Sequence, residues 1–206
     1  MLKIAVLISG SGSNLQAIID NIESGYLSCS IEAVISDKKD AYGVERAKSK
    51  NIKTYILDRK QLGVAISDEI LRIVDGKVDL IVLAGFLSIL QGELLGVFKN
   101  KIINIHPSLI PSFCGGGMYG LKVHEKAIEV GVKVSGCTVH FVDEGTDSGP
   151  IIIQKVVEVY ESDVAKDLQL RVLAQEHKAL PEAIKLISEK AIKIEGRKVL
   201  AIGKVE

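Results

Sequence analysis

The feature that most constrains the fold is a regular alternation of short apolar runs with helix-periodic segments over residues 2–105. The runs LKIAVLI (2–8) and LIVLAGF (80–86) are almost wholly apolar, which is typical of strands buried on both faces of a parallel sheet. LQAIIDNIES (15–24) has its apolar residues at helical spacing, and LSILQGELLGVFKN (87–100) also predicts a helix, interrupted by a glycine. The alternation predicts an α/β protein with a doubly wound, mostly parallel sheet.

In the second half of the chain, two long apolar runs follow each other closely. VKVSGCTVHFV (132–142) and IIIQKVVEV (151–159) are separated by eight mostly polar residues. A connection this short joins antiparallel strands, so we expect an antiparallel C-terminal extension of the sheet. A long helical region over 162–190 follows, with Ser162 as its N-cap and a kink or a new start at Pro181.

Composition excludes several classes of function. The 26 basic and 26 acidic residues cancel, so we expect no electrostatic attraction to nucleic acid or to an anionic membrane. The three cysteines include no CxxC pair, which argues against a disulfide framework and a zinc site, and we expect no metal. The first apolar run is too short for a membrane span or a signal sequence. We therefore expect a cytoplasmic protein without nucleic-acid or membrane partners.

The first candidate site is the loop SGSGSN (9–14), which joins the first strand to the first helix. A helix N-terminus exposes backbone N–H groups and favours an anion. Gly12 would let a phosphate approach closely, and Ser13 and Asn14 add donors. The loop is not a GxGxxG fingerprint, because Leu15 occupies the place of the third glycine, and it is not a Walker loop. The alternative is an ordinary tight turn with a polar cap.

The second candidate site is KIINIHPSLIP (101–111), where a strand ends at a proline. Asn104 and His106 flank Ile105, so their side chains share one face of the strand. A carboxamide beside an imidazole suits a site where an oxygen gains negative charge and a proton moves. The alternative is a strand end with two satisfied polar groups. Ligands of doubly wound sheets lie beyond the carboxyl ends of the strands, so we expect both candidate sites at one edge.

Three acids complete the candidate set. Asp147, between two glycines in the loop of the antiparallel pair, could face His106, orient the imidazole and raise its pKa. Glu176 lies beside the apolar face of the long helix and could reach an amine-bearing substrate; the alternative is an ordinary exposed charge. Asp37, at the end of the second strand, could accept a ribose hydroxyl; the alternative is a solvated turn residue.

Five segments resemble one protein family and occur in the same order over nearly the whole chain. They are AVLISGSGSNLQAII, VLAGFLSIL, NIHPSLIP, VSGCTVHFVDEGTDSGPII and RVLAQEH. NIHPSL with HFVDEGTDSGP resembles the folate-dependent formyltransferases in general. SGSGSNLQ narrows the resemblance to the glycinamide ribonucleotide formyltransferases of purine biosynthesis and their deformylase relatives.

The resemblance implies a Rossmann-like formyltransferase fold in a single domain over 1–206. Its first half (1–105) would bind the mononucleotide. Its second half (106–206) would carry the catalytic loop, the hairpin and the C-terminal helix.

The resemblance also implies a role for each candidate residue. The residues that match the catalytic trio are Asn104, His106 and Asp147. The residues that match the ribonucleotide site are Gly12, Ser13, Asn14 and Glu176. The residues that match the folate site are Leu87, Ser88, Ile89, Leu90, Asn104, Val142 and Asp143, the last two in a loop over the pterin. The implied ligands are glycinamide ribonucleotide and, as co-substrate, 10-formyltetrahydrofolate, with no metal, in a monomer or homodimer.

Two positions depart from the family's pattern. Ser88 replaces an arginine that is common in the folate segment, and Gly63 stands near where a basic folate contact is often found. The chemistry is expected to be intact, whereas the affinity for the folate's glutamate tail is left open. The family also resembles a group of proteins whose central motif contains a cis peptide bond. In this chain the candidate for such a bond is Ile110–Pro111.

The implied reaction is formyl transfer from the folate to the glycinamide amine. A protonated His106, kept cationic by Asp147, would stabilise the oxyanion of the tetrahedral intermediate together with the amide of Asn104. A proton would travel from the amine to folate N10 through water near Asp147. Three alternatives stay open: a hydrolase that passes the formyl group to water, an NAD-dependent dehydrogenase module, and a noncatalytic domain that senses a phosphorylated metabolite.

Overall fold

The computed structural model describes residues 1–202, which form nine strands and seven α-helices. The strands are β1 (Leu2–Ile8), β2 (Cys29–Ser36), β3 (Thr54–Ile56), β4 (Leu80–Leu83), β5 (Ile102–His106), β6 (Val134–Phe141), β7 (Ile151–Glu158), β8 (Ile192–Glu195) and β9 (Lys198–Ala201). The helices are α1 (Ser13–Glu23), α2 (Tyr42–Ser49), α3 (Arg59–Leu62), α4 (Ile66–Val74), α5 (Glu93–Val97), α6 (Leu121–Val130) and α7 (Ala165–Ser188). No helix in this part of the chain combines the length and the apolar character needed to cross a membrane.

All nine strands belong to one sheet, in the order β3-β2-β1-β4-β5-β6-β7-β9-β8. Strands β1 to β5 pair in parallel, whereas β6 is antiparallel to both β5 and β7. The predicted fold, a doubly wound and mostly parallel sheet with an antiparallel C-terminal extension, is confirmed. After β1 the chain continues to β2 on one side of β1, whereas β4 pairs with β1 on the other side. A crevice therefore opens at the carboxyl ends of β1 and β4.

Alternate side chains of β1 enter two separate cores, one on each face of the sheet. Ile4, Val6 and Ile8 pack with the cluster that contains apolar residues of α1, α2 and α7. Ala5 and Leu7 pack with the cluster that contains apolar residues of α4 and α5. Because both faces are covered, the strand must be apolar at every one of these positions, which is the pattern seen in the sequence.

The segment after β4 is not the predicted helix. Strand β4 ends at Leu83, residues 84–91 are irregular, and only Glu93–Val97 is helical. The backbone N–H of Leu87 donates to Oγ of Ser9 at 2.8 Å, and that of Gln91 donates to Oγ of Ser67 at 3.0 Å. These amides bind other parts of the chain, so tertiary hydrogen bonds replace the helical ones that the local pattern predicted.

The long C-terminal helix also differs from its prediction at the N-terminus. Its N-cap is Val164, and the Asp167 carboxylate accepts from the Val164 backbone N–H at 3.1 Å. The predicted cap at Ser162 is therefore wrong, because an acid inside the first turn satisfies the free amide instead. Pro181 lies within one continuous helix.

Candidate active site

A cavity of about 640 Å³ lies beyond the carboxyl ends of β1, β4 and β5. Its walls come from the loops after these strands, from the β6–β7 loop and from α7. All candidates from the catalytic, ribonucleotide and folate sets line this one cavity: Gly12, Ser13, Asn14, Leu87, Ser88, Ile89, Leu90, Asn104, His106, Val142, Asp143, Asp147 and Glu176. Segments that are far apart in the chain thus contribute to a single site.

His106 is buried, and both nitrogens of its ring face oxygen atoms. Nε2 lies 2.9 Å from the carbonyl oxygen of Phe113, and Nδ1 lies 3.5 Å from Oδ2 of Asp147. A carbonyl oxygen can only accept, so Nε2 carries a hydrogen. Nδ1 is therefore the nitrogen that gains or loses a proton, and it does so beside a carboxylate.

The loop after β5, residues 107–120, folds over this pair. Its Phe113 carbonyl accepts from His106, and the backbone N–H of Gly115 donates to Oδ2 of Asp147 at 3.0 Å. The Ile110–Pro111 peptide in this loop, the candidate implied by the family resemblance, is cis. One loop thus holds both partners of the histidine–carboxylate contact.

The carboxamide of Asn104 is held between a carboxylate and a second histidine. Its Nδ2 lies 3.4 Å from Oδ1 of Asp147 and 3.2 Å from Nε2 of His140. His140 Nδ1 lies 2.8 Å from the carbonyl oxygen of Phe141, so Nδ1 carries a hydrogen, and its Nε2 lies 3.6 Å from Oδ1 of Asp147 as well. His140 and Asp147 thus both contact the Asn104 amide.

His140 was not among the residues predicted for the site. In the structure, the antiparallel pairing of β5 with β6 puts Asn104 directly opposite His140. The alternation of side chains along β6 indicates on which face of the strand His140 lies. Its neighbour is identified only by the register between β5 and β6. Two further residues that were not in the predicted set, His124 and Gln169, also line the cavity.

The pKa of the imidazole is subject to opposing effects. Burial lowers the pKa of His106 below its usual range, whereas Asp147 and the Phe113 carbonyl raise it. The predicted electrostatic contribution of Asp147 is thus present, and desolvation opposes it. For Asp147, burial raises the pKa, but its contacts with His140, His106 and Gly115 together bring it below the usual range.

The β6–β7 loop is bent into a defined shape around Asp147, as its glycines predicted. Oδ1 of Asp143 accepts from the backbone N–H of Gly145 at 3.1 Å and from Oγ of Ser148 at 2.5 Å. A side chain at Gly149 would collide with a backbone carbonyl oxygen. Asp143 is therefore not a freely solvated acid: its side chain closes the turn that presents Asp147 to the cavity.

The loop over residues 9–14 has the geometry of an anion cradle. Gly12 is the N-cap of α1 with φ +70°, and it has no side chain to occupy the first amides of the helix. A Cβ atom at this position would lie 2.5 Å from Cα of Gly43, so the close approach to α2 also requires glycine. Nε of Arg46 donates to the carbonyl oxygen of Ser11 at 2.9 Å and braces the loop. No side chain caps the start of α1, and Gly12, Ser13 and Asn14 line the cavity.

Asn14 and Glu176 form a buried pair that joins this loop to α7. Nδ2 of Asn14 donates to Oε2 of Glu176 at 2.7 Å. Burial raises the pKa of Glu176, and the Asn14 amide partly offsets this effect. Glu176 is thus not the exposed helix charge that was its alternative interpretation. Nδ2 of Asn14 is bound to it, whereas the buried Oδ1 of Asn14 has no hydrogen-bond partner among residues 1–202.

The segment over residues 87–90 gives the cavity an apolar wall. Ile89 is 71% exposed and Leu87 is 39% exposed, although both border the cavity. Val142 lines the same cavity from the β6–β7 side. Two uncovered apolar side chains at the wall of a concave site are suited to a ligand with an aromatic or apolar body.

His124, on α6, should make the protein sensitive to acid. Burial and the nearby His106 lower its pKa to about 4, and its Nδ1 finds no hydrogen-bond partner among residues 1–202. Between pH 6.5 and this value the unfolded chain binds the proton and the folded chain does not, so stability falls as the pH falls. From pH 7 to pH 5 the loss due to this residue should be about 2 kcal/mol.

Urea unfolding of the wild type and of His124→Leu at the two pH values tests this expectation. The wild type should lose about 2 kcal/mol more than the variant, because leucine does not titrate. Equal losses in the two proteins would show that another group causes the acid sensitivity.

No group of three or more His, Cys, Asp or Glu side chains that could hold a metal ion occurs among the residues that the structure describes.

Comparison with known proteins places the chain in a family. Residues 2–184 match the formyl transferase family. A phosphoribosylglycinamide formyltransferase of Haemophilus influenzae is 40% identical over 210 residues, which cover 99% of this chain and 95% of that protein. The crystal structure of glycinamide ribonucleotide transformylase 1 from Symbiobacterium toebii superposes with a TM-score of 0.92 at 45% identity, over 98% of this chain and 94% of that one.

Two other matches differ in length from this chain. The trifunctional purine biosynthetic protein adenosine-3 of Homo sapiens is 40% identical over 93% of this chain, which spans only 19% of that protein. A formyltetrahydrofolate deformylase from Pseudomonas syringae has a TM-score of 0.86 but only 27% identity, and this chain covers 66% of it. Identity is thus higher to the transferases, and two of them match over nearly their full length. The chain belongs to the formyl transferase family and, within it, to the phosphoribosylglycinamide formyltransferases.

Proposed function

We propose that the protein transfers the formyl group of 10-formyltetrahydrofolate to the amine of glycinamide ribonucleotide. The observation that carries this proposal is the convergence of an amide, an imidazole and a carboxylate in the cavity that also contains the anion cradle. Nδ2 of Asn104 and Nδ1 of His106 lie 3.4 and 3.5 Å from the two oxygens of Asp147. Such a cluster suits a reaction in which a carbonyl oxygen becomes negative and a proton changes place.

The two ends of the cavity suit the two substrates. The uncapped amides at the start of α1 would bind the ribonucleotide phosphate, with the buried Glu176 behind them. The apolar segment over residues 87–90 would bind the folate, with Val142 on the opposite side. The formyl carbon would then lie near Asn104 and His106, between the bound ligands. Holding both reactants in one geometry supplies much of the acceleration.

In the chemical step the histidine gains a proton as negative charge develops nearby. The neutral amine attacks the formyl carbon, and the formyl oxygen becomes an oxyanion that accepts from the Asn104 amide in place of the 3.4 Å contact of that amide with Asp147. The oxyanion is a second negative charge near His106, in addition to Asp147, so it raises the affinity of the ring for a proton. The attacking nitrogen becomes positively charged and gives its proton to Nδ1 of His106, so the imidazolium forms together with the oxyanion that it stabilises. The ring then passes this proton to folate N10 as the C–N10 bond breaks and the oxyanion returns to a carbonyl.

An assay with and without the ribonucleotide tests the proposed function. We expect the absorbance change of folate deformylation to require glycinamide ribonucleotide, with formylated ribonucleotide and tetrahydrofolate formed in equal amounts. The hydrolase alternative predicts formate at the same rate in both mixtures. A noncatalytic sensor predicts binding of the ribonucleotide without any deformylation. The anion cradle and the Asn14–Glu176 pair favour the transferase, because transfer of the formyl group to water requires no ribonucleotide.

The dehydrogenase alternative needs an acid that can bind the dinucleotide, and the surroundings of that acid do not support it. Asp37 would have to accept a ribose hydroxyl of the dinucleotide. Its side chain is 0% exposed, and Oδ2 accepts from Oγ of Ser88 at 2.7 Å. The predicted ribose contact and the alternative of a solvated turn residue are both wrong for this acid.

A further inference from the structure

The proposed reaction gives no role to Asp37, the buried acid directly after β2. Its Oδ2 accepts from Oγ of Ser88 at 2.7 Å, and Nη1 of Arg59 lies 3.8 Å from the same oxygen. Its Oδ1 is buried and has no hydrogen-bond partner within residues 1–202. The short contact of this carboxylate is therefore with the Ser88 hydroxyl, in the segment that borders the cavity.

A buried carboxylate with so few partners destabilises the fold relative to a neutral side chain. Desolvation of the charge is costly, and it is offset only when the charge is well paired. Arg59 does not provide such pairing, since its side chain is 39% exposed and 3.8 Å exceeds hydrogen-bond distance. Stability therefore does not account for an acid at this position, whereas its contact with the cavity wall offers a reason.

The segment over residues 87–90 is attached to the protein by polar contacts and by the buried side chain of Leu90. Leu87 N–H donates to Ser9 Oγ at 2.8 Å at one end, and Gln91 N–H donates to Ser67 Oγ at 3.0 Å at the other. Between these two anchors, Ile89 is largely exposed and contributes little packing. The Ser88 hydroxyl bound to Asp37 is the side-chain anchor in the middle of the segment.

We propose that Asp37 is a positioning residue for the folate, acting through the Ser88 hydroxyl. A charge-assisted hydrogen bond holds Ser88 in place, so the backbone of residues 87–90 and the side chains of Leu87 and Ile89 meet the folate in one conformation. Ser88, which stands where an arginine is common in the family, thus has a hydrogen-bond partner in this chain. The inference rests on the proposed function and concerns the folate end of the cavity alone.

Steady-state kinetics with both substrates varied tests the proposal. Asp37→Ala should raise the KM for 10-formyltetrahydrofolate about tenfold, with kcat and the KM for the ribonucleotide within about twofold of wild type. Ser88→Ala should do the same, and the double variant should be no worse than either single one, because both remove the same contact. Asp37→Asn retains an oxygen acceptor and should recover most of the affinity. Asp40→Ala, which removes an exposed carboxylate three residues further along, is the matched control and should behave as wild type.

Several outcomes would overturn the proposal. An unchanged folate KM in Ser88→Ala contradicts it, and this variant decides the matter even where Asp37→Ala fails to fold. Equal increases in both KM values, or a lower melting temperature with unchanged KM values, indicate a purely structural carboxylate. In each case continued turnover leaves the proposed function intact, whereas a wild type that transfers no formyl group contradicts that function itself.

Discussion

Replacement of His106 by alanine is expected to lower kcat for formyl transfer by a factor of about 10²–10⁴. The ring is the group near the reacting carbon that can take up a proton as the oxyanion forms, because Nδ1 faces Asp147 while Nε2 is bound to the Phe113 carbonyl. The effect should lie in kcat rather than in KM, since the charge develops only in the transition state. Initial rates at saturating concentrations of both substrates measure it.

A second histidine serves as the control for this variant. Of the four histidines in the chain, His177 is the one that does not line the cavity. His177→Ala should therefore keep kcat within a few-fold of wild type. Near-normal turnover in His106→Ala would remove this residue from the chemistry, whatever the control shows.

Asp147→Asn is expected to lower kcat by a similar factor, about 10²–10⁴, for a related reason. The variant keeps the size of the side chain but removes the negative charge that Nδ1 of His106 faces at 3.5 Å. That charge raises the pKa of His106 against the stronger effect of burial, so its removal should lower this pKa further. Histidine NMR titration of the ligand-free protein should therefore show the His106 transition at lower pH in the variant than in the wild type.

The two variants should not act independently. If Asp147 works through His106, the double variant should be hardly slower than the slower single variant, as for residues that act as a unit. Fully multiplicative losses would contradict the coupling and would indicate a separate role for Asp147, such as binding the water that carries the proton. An unchanged His106 titration in Asp147→Asn would contradict the electrostatic part of the argument.

Local patterns predicted those parts of the fold in which local and tertiary preferences agree. The apolar runs that became β1 and β4 are buried on both faces of the sheet. They could be recognised as strands without knowledge of their places in the sheet or of the helices that cover them. The helical prediction after β4 was wrong because Ser9 and Ser67, distant in the chain, bind backbone amides of that segment. The Ser162 cap was wrong because Asp167, inside the helix, satisfied the free amide.

The sequence alone determined the alternation of strands and helices and the edge at which the candidate residues meet. These follow from hydrophobic periodicity and chain direction, which are properties of short segments, whereas the choice of Asn104, His106 and Asp147 as a trio rested on the family resemblance. Only the tertiary structure decided that Asn104 faces His140, that Asp37 binds Ser88, and that burial lowers the pKa of His106. The reason is physical: a hydrogen-bond partner and a desolvated environment come from strand register and from packing between distant segments, and neither is encoded at a single position of the chain.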